Sequence, residues 1–109
     1  MIRHMVLFFL HDGIANADPR VTAAVEAEET LSSEIPDGRD WRFGPNLSAR
    51  APAADFVGVG DFESSRALQR FLQHSAHTGV AALWEGLATW TVADLELDHL
   101  ARARADDHR

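Results

Sequence analysis

The chain has 109 residues, and its composition excludes several classes of protein. Its 46% hydrophobic and 25% charged residues are typical of one ordinary globular domain with a single core. The absence of cysteine excludes disulfides, cysteine-ligated zinc and thiol catalysis. A net charge of −7 argues against binding to nucleic acid, because a sequence-independent hold on phosphates needs a basic surface.

A short apolar segment near the N-terminus bears on localisation. Residues 5–10 are too few to cross a bilayer or to form the core of a signal peptide. We therefore expect a cytoplasmic protein with no membrane partner.

Hydrophobic patterning predicts seven secondary-structure elements. In chain order they are a strand at 2–10, a helix at 18–34, strands at 40–44 and 55–62, a helix at 65–73, a third helix after a corner at 74–77, and a strand at 88–97. Asp18 and Ser64 are the expected N-caps of the first two helices, since both residue types accept hydrogen bonds from the first turn. Residues 98–109 are dense in charge, so we expect a charged C-terminal tail outside a single domain at 1–97.

The order of these elements predicts the fold class. Strand, helix, strand, strand, helix, helix, strand is the split β-α-β pattern of a ferredoxin-like α+β domain, a four-stranded antiparallel sheet with helices on one face. The first strand is apolar on both faces, with Val6 and Phe8 on one side and Leu7 and Phe9 on the other. Because the helices cover only one face, a second copy of the sheet is the simplest cover for the other. We therefore expect a homodimer through the sheet faces, a dimeric α+β barrel.

His77 is the first candidate for chemistry, because it lies at the head of the third helix on the same apolar side as Val80 and Trp84. Desolvation there lowers the pKa of a histidine and keeps it neutral at pH 7, the state that a general base requires. The alternative is a core histidine whose ring nitrogens bond to backbone carbonyls. His74 lies three residues earlier, a spacing that metals use, but without a third ligand in register we expect no metal site.

Glu28 is the second candidate. It falls near the centre of the apolar stripe of the first helix, which is formed by Val21, Ala24, Val25, Leu31 and Ile35. A carboxylate at such a position is unfavourable unless it is paired or lines a cavity. In the alternative interpretation the helix is rolled or shortened, so that Glu28 reaches water.

Two strands also carry residues that suit a ligand site. His4 lies mid-strand beside Val6, where a satisfied core histidine is the alternative to a pocket residue. Gly58 and Gly60 alternate on one face of the third strand and leave room for another group to approach the backbone.

Four segments resemble the stress-responsive A/B barrel (Dabb) family. They are residues 2–8 (IRHMVLF), 44–48 (GPNLS), 55–64 (DFVGVGDFES) and 71–77 (FLQHSAH), and the resemblance covers about residues 2–97. The His-x-Ala-His motif within the last segment is fairly specific. The resemblance implies homodimers whose sheets form a barrel, with a pocket between sheet and helices. Some members are plant polyketide cyclases, which close a linear polyketide by an aldol reaction without metal or cofactor.

The same resemblance implies roles for individual residues. His77 matches the histidine that acts as base in the cyclases, and His4 matches a pocket histidine of the first strand. Phe71 stands where the cyclases carry a tyrosine that positions the base. Glu28 falls near a helix position that faces the pocket, so His77 and Glu28 are the catalytic candidates. The implied substrate-binding residues are His4, Val6, Phe8, Phe56, Gly58, Phe71 and Trp84.

The leading hypothesis is a small, cofactor-independent dimeric protein that binds a hydrophobic, oxygenated, polyketide-like molecule. His77 would act as acid or base in a cyclisation or a related proton transfer, as in a lyase. One alternative is a non-catalytic stress-response or ligand-binding protein of the same fold. Another is a cofactor-free monooxygenase-like enzyme, since that family is similar in building ferredoxin-like dimeric barrels. A closed apolar cavity containing His77 and Glu28 favours an enzyme, whereas a collapsed core favours a structural role.

Overall fold

The computed structural model describes residues 1–97. Its strands are β1 (Ile2–Leu10), β2 (Arg42–Pro45), β3 (Phe56–Phe62) and β4 (Ala88–Glu96). Its helices are α1 (Pro19–Glu34), α2 (Ser65–Gln73) and α3 (Ser75–Trp84), and a short 3-10 turn (Pro36–Gly38) follows α1. The predicted elements are confirmed in type and order, and the tail predicted at 98–109 lies outside the described residues.

The four strands form one antiparallel sheet in the order β2-β3-β1-β4. The central strand β1 places alternate side chains on opposite faces. His4, Val6 and Phe8 point to the helix side and are all buried. The predicted four-stranded antiparallel sheet with helices on one face is therefore confirmed.

The opposite face of the sheet is apolar, and no element within residues 1–97 covers it. Leu7 of β1 pairs with Val57 of β3 on this face, and Leu7 and Leu95 are 37% and 40% exposed. Arg3 and Asp61 form an ion pair at one end of the face, with Nε–Oδ1 and Nη2–Oδ2 distances of 2.9 and 3.0 Å. An extended apolar face of this kind is typical of a surface that another molecule covers.

The helices begin at hydrogen-bonding caps. The side chains of Asp18 and Ser64 each accept a backbone N–H from the first turn of α1 and α2, at 2.9 and 3.1 Å. The His74 ring does the same for α3 at 3.1 Å. Because this cap lies at His74, the helix begins directly after it, and the predicted corner at 74–77 is shortened to one residue. His77 consequently lies in the first turn of α3.

The second strand is shorter than its predicted span of 40–44, because it begins at Arg42. The preceding residue, Trp41, donates its backbone N–H to the carbonyl of Gly38 at 2.9 Å and so continues the turn that follows α1. Its side chain is 4% exposed and points into the core.

The core lies between the sheet and the helices. Its largest fully buried side chains are Trp84, Phe62, Phe71, Leu31, Ile35 and Val21. No helix within residues 1–97 combines the length and the apolar character that crossing a membrane requires.

Candidate functional site

A cavity of about 170 Å³ lies between the helix side of the sheet and the three helices. Such a volume is large enough for an aromatic ring, since an apolar cavity of about 150 Å³ is known to hold benzene. It is lined by His4, Val6, Phe8, Glu28, Trp41, Leu72, His77, Ala81, Trp84, Trp90 and Val92. Trp90 and Val92 of β4 are 40% and 52% exposed, so the cavity reaches the surface beside this edge strand.

Glu28 enters the cavity from α1, where helical periodicity places it on the buried stripe. Its side chain is 4% exposed, and Oε2 accepts the indole N–H of Trp84 at 3.0 Å. Burial raises the pKa of the Glu28 carboxyl to about 7, while the indole N–H groups of Trp84 and Trp41 oppose the rise. The alternative in which α1 rolls to bring Glu28 to water is therefore wrong.

His77 enters the cavity from the first turn of α3. Its ring meets the edge of Phe71, with the ring centroids 5.0 Å apart. Burial lowers the pKa of His77, the neighbouring His4 lowers it further, and a contact with the backbone of Leu72 opposes the shift. The direction is the one that the sequence predicts for a desolvated imidazole, and it leaves His77 neutral at pH 7.

His4 forms the floor of the cavity on β1 and is 3% exposed. The β1–β4 register pairs it with Asp94, and its Nδ1 lies 2.5 Å from Oδ1 of that carboxylate. This contact ties the imidazole to the edge strand β4. The opposite side of the ring stacks on Trp41, with centroids 6.1 Å apart.

The structure brings together most, not all, of the residues that the sequence and the family resemblance indicate. Those that line the cavity are His4, Val6, Phe8, Glu28, His77 and Trp84. Phe56, Gly58 and Phe71 do not line it, and their role in substrate binding stays a prediction. The space that Gly58 leaves on the sheet is occupied by Trp41, because a Cβ at Gly58 would collide with Cζ2 of that indole.

Sequence reasoning missed several lining residues, above all Trp41, Trp90 and Val92. Trp90 and Val92 alternate along β4 and pair with Phe8 and Val6, so the register between the two strands would have identified them. No comparable local signal exists for Trp41, which precedes β2 and enters the cavity through the turn after α1.

The described part of the chain has no cluster of side chains with the geometry of a metal site. Residues 1–97 contain no group of three His, Cys, Asp or Glu side chains placed to hold a metal ion. His74, the partner of His77 in a metal-like spacing, uses Nδ1 to cap α3.

The fold and the cavity define a ferredoxin-like α+β protein with a ligand-sized site between sheet and helices. A dimeric ferredoxin-like protein of unknown function from Thermobifida fusca has the same fold, with a TM-score of 0.74 and 23% identity over 86% of this chain and 88% of that chain. The hydroxynitrile lyase of Passiflora edulis shares it as well, with a TM-score of 0.72 and 15% identity over 86% of this chain and 90% of that enzyme.

Sequence comparison then gives the family. The profile of the stress responsive A/B barrel domain, Dabb, matches residues 2–97. An uncharacterized protein of Streptomyces coelicolor is 46% identical over 96 residues, which cover 88% of this chain and 99% of that protein. The chain belongs to the Dabb family, and the resemblance seen in its motifs is confirmed.

Proposed function

We propose that this protein binds a small apolar molecule that carries oxygen and transfers a proton on it, with His77 as the base. The observation that carries the proposal is that His77 and Glu28, two titratable groups on different helices, line one apolar cavity. Buried ionisable groups in a shared cavity are uncommon in a purely structural core, and they are typical of sites of acid-base chemistry.

The protonation states of the two groups suit opposite roles. Because its pKa is lowered, His77 is neutral at pH 7 and can accept a proton. Glu28, with a pKa of about 7, is partly protonated at neutral pH and can donate one. A neutral base and a partly protonated acid in one site can take up and deliver a proton on the same bound molecule.

The reaction that follows needs only these side chains. His77 takes a proton from the substrate, the electron pair left behind moves towards the substrate oxygen, and Glu28 gives that oxygen a proton. Carbon–carbon bond formation within the same molecule would turn this transfer into a cyclisation. A hydroxynitrile lyase has the same fold, which supports the proposal that this fold accommodates catalysis.

We further propose that the functional unit is a homodimer formed through the uncovered sheet face. That face presents exposed leucines at positions 7 and 95, and no helix within residues 1–97 covers it. The Thermobifida fusca protein of the same fold is described as dimeric. Analytical ultracentrifugation at micromolar concentration is expected to give a species of twice the 12.0 kDa chain mass. A stable monomer under these conditions would contradict this part of the proposal.

Isotope exchange tests the catalytic proposal. Benzylacetone, a small aromatic ketone, is dissolved in deuterium oxide with the protein, and the loss of its α-proton signal is followed by NMR. The wild-type protein is expected to accelerate the exchange, and His77→Ala is expected to reduce the acceleration by about a hundredfold or more. Circular dichroism checks that the variant is folded.

A matched control is His11→Ala, because His11 is an exposed histidine outside the cavity whose Nδ1 lies 3.2 Å from the carbonyl of Gly86. This variant is expected to exchange benzylacetone at the wild-type rate. Binding of benzylacetone without accelerated exchange would favour the non-catalytic ligand-binding alternative. Equal rates for His77→Ala and the wild type would remove His77 from the base role.

A further inference from the structure

Trp41 carries a buried polar atom that nothing in the described chain satisfies. The side chain is 4% exposed, and its Nε1 has no hydrogen-bond partner among residues 1–97. Buried donors without a partner are rare in folded proteins, because each loses its bonds to water without replacement. Trp41 is also a lining residue of the cavity, so its indole borders the space that a ligand would occupy.

The position of this indole is imposed by its surroundings. Its six-membered ring occupies the space above Gly58 and Gly60 of β3, where a Cβ at Gly60 would come within 2.9 Å of Cε3 and one at Gly58 would collide with Cζ2. His4 stacks on the indole, and the ring of Phe71 lies 5.4 Å from it. Contacts on these sides oppose rotation of the indole.

The neighbouring carboxyl group of Glu28 does not form a hydrogen bond with this donor. The Trp41 N–H is close enough to the Glu28 carboxyl to oppose the rise of its pKa, yet the two groups do not meet the geometry of a hydrogen bond. The carboxyl instead accepts the N–H of Trp84 through Oε2. The cavity lining therefore includes, close to each other, an indole N–H without a partner among residues 1–97 and a carboxyl group.

Resting on the proposed function, we propose that the Trp41 N–H binds an uncharged oxygen of the ligand, a carbonyl or a hydroxyl, beside Glu28. The ligand class is thereby narrowed to neutral, oxygen-bearing aromatic or similarly apolar molecules. A carbonyl oxygen accepts from the Trp41 N–H and from a protonated Glu28, whereas a hydroxyl accepts from Trp41 and donates to an ionised Glu28. A carboxylate ligand would bring negative charge against Glu28 in a poorly hydrated site and is therefore disfavoured.

Four probes with one aromatic ring test this recognition: acetophenone, α-methylbenzyl alcohol, ethylbenzene and benzoate. The isotope-labelled protein gives one indole N–H signal for each tryptophan in a heteronuclear NMR spectrum, and the signal that Trp41→Phe removes belongs to Trp41. The ketone or the alcohol, at concentrations up to millimolar, is expected to shift the Trp41 signal. Ethylbenzene is expected to enter the cavity without the downfield shift that a hydrogen bond to the N–H gives, and benzoate is expected not to bind.

Trp41→Phe supplies the second measurement. The variant keeps an aromatic ring but loses the donor, so it is expected to bind the oxygenated probe about three- to tenfold more weakly and ethylbenzene unchanged. His11→Ala lies outside the cavity and is the control, with the wild-type preference for oxygen retained. Should Trp41→Phe fail to fold, sequential NMR assignment of the wild-type protein identifies the Trp41 signal, and its shift decides the matter.

The proposal is overturned if neither oxygenated probe moves the Trp41 signal, if benzoate binds as well as acetophenone, or if Trp41→Phe keeps the wild-type preference for oxygen. These outcomes are separate from those of the exchange experiment. Loss of His77-dependent exchange with the Trp41 shift present would leave the recognition site intact and remove only the catalytic step.

Discussion

The layer between the sheet and the helices has two sides that differ in how they use aromatic residues. On the filled side, which consists of Trp41, Phe62 and Phe71 above the two glycines of β3, the rings pack into space that the glycines leave. On the open side, which consists of Trp90 and Val92 on β4, the side chains are about half exposed and the cavity lies beside them. Glu28, His77 and His4 line the cavity that lies between these two sides.

This difference shows that the number of aromatic residues does not decide where a core ends and a pocket begins. What decides it is whether the strand beneath leaves room for a ring and whether other side chains cover that ring from above. A glycine pair on β3 satisfies the first condition, and α2 supplies Phe71 for the second. Two buried polar groups at the boundary are stabilised by hydrogen bonds, Glu28 to Trp84 and His4 to Asp94.

The largest effect is expected from deleting a ring on the filled side. Phe71 is fully buried, so Phe71→Ala is expected to lower the free energy of unfolding by about 3–5 kcal/mol. Trp90→Ala on the open side removes a larger ring. It is nevertheless expected to lower the free energy of unfolding by less than half as much, because 40% of the Trp90 surface is already exposed. Chemical denaturation at one fixed protein concentration measures both. Equal losses would show that the open side is packed as tightly as the filled side.

A pH-dependent effect is expected from Glu28→Gln at the boundary. The Glu28 carboxyl has a pKa raised from 4.5 to about 7 in the folded protein, so the fold binds its proton more tightly than the unfolded chain does. The stabilisation that the Glu28 carboxyl contributes is fully present below its pKa of 4.5 in the unfolded chain, and it is lost as the pH rises through about 7. The glutamine does not titrate. The free energy of unfolding of the variant, relative to that of the wild type, is therefore expected to rise by about 3 kcal/mol from acidic to mildly alkaline pH.

The sign of this trend is opposite to that of His77, whose lowered pKa removes stability as the pH falls below its unfolded value of 6.5. Because His77 is present in both proteins, its effect cancels in the difference between Glu28→Gln and the wild type. Glu29→Gln is the matched control, since it changes the same chemical group on the exposed side of α1. A difference between Glu28→Gln and the wild type that does not vary with pH would contradict the buried, proton-binding carboxyl.

The smallest effect is expected from the glycines. Gly58→Ala forces a methyl group against the Trp41 ring and is expected to lower stability by about 1–3 kcal/mol and to displace the indole. Gly44→Ala is the control on β2, because its added methyl group meets nothing within 4 Å. Thermal or chemical unfolding of the two variants measures the difference. If Gly58→Ala and Gly44→Ala change the stability equally, the close approach of the Trp41 ring to β3 does not stabilise the filled side.

Local patterns in the sequence predict most of the fold. The alternation along β1, the caps at Asp18 and Ser64, and the position of Glu28 on the buried stripe of α1 each depend on residues within a few positions of one another. The family motifs also predict the pocket and the position of His77 in it. These features are encoded within single elements, which is why the amino-acid sequence alone reveals them.

The partners of the candidate residues could not be predicted in the same way. Glu28 bonds to Trp84, 56 positions away, and His4 bonds to Asp94, 90 positions away. Each pair depends on how separate elements pack or align, which no local pattern specifies. The room left by the glycines of β3 is visible in the sequence, but its occupant, Trp41, depends on the turn that follows α1.

The placement of the tryptophans gives the protein an optical reporter of its own cavity. The chain has three tryptophans and no tyrosine, and Trp41, Trp84 and Trp90 all line the same space. Ultraviolet excitation at the red edge of the protein band therefore produces emission from the cavity wall alone. Changes in the intensity or wavelength of that emission during a titration report directly on what enters the cavity, with neither a dye nor a label attached to the protein.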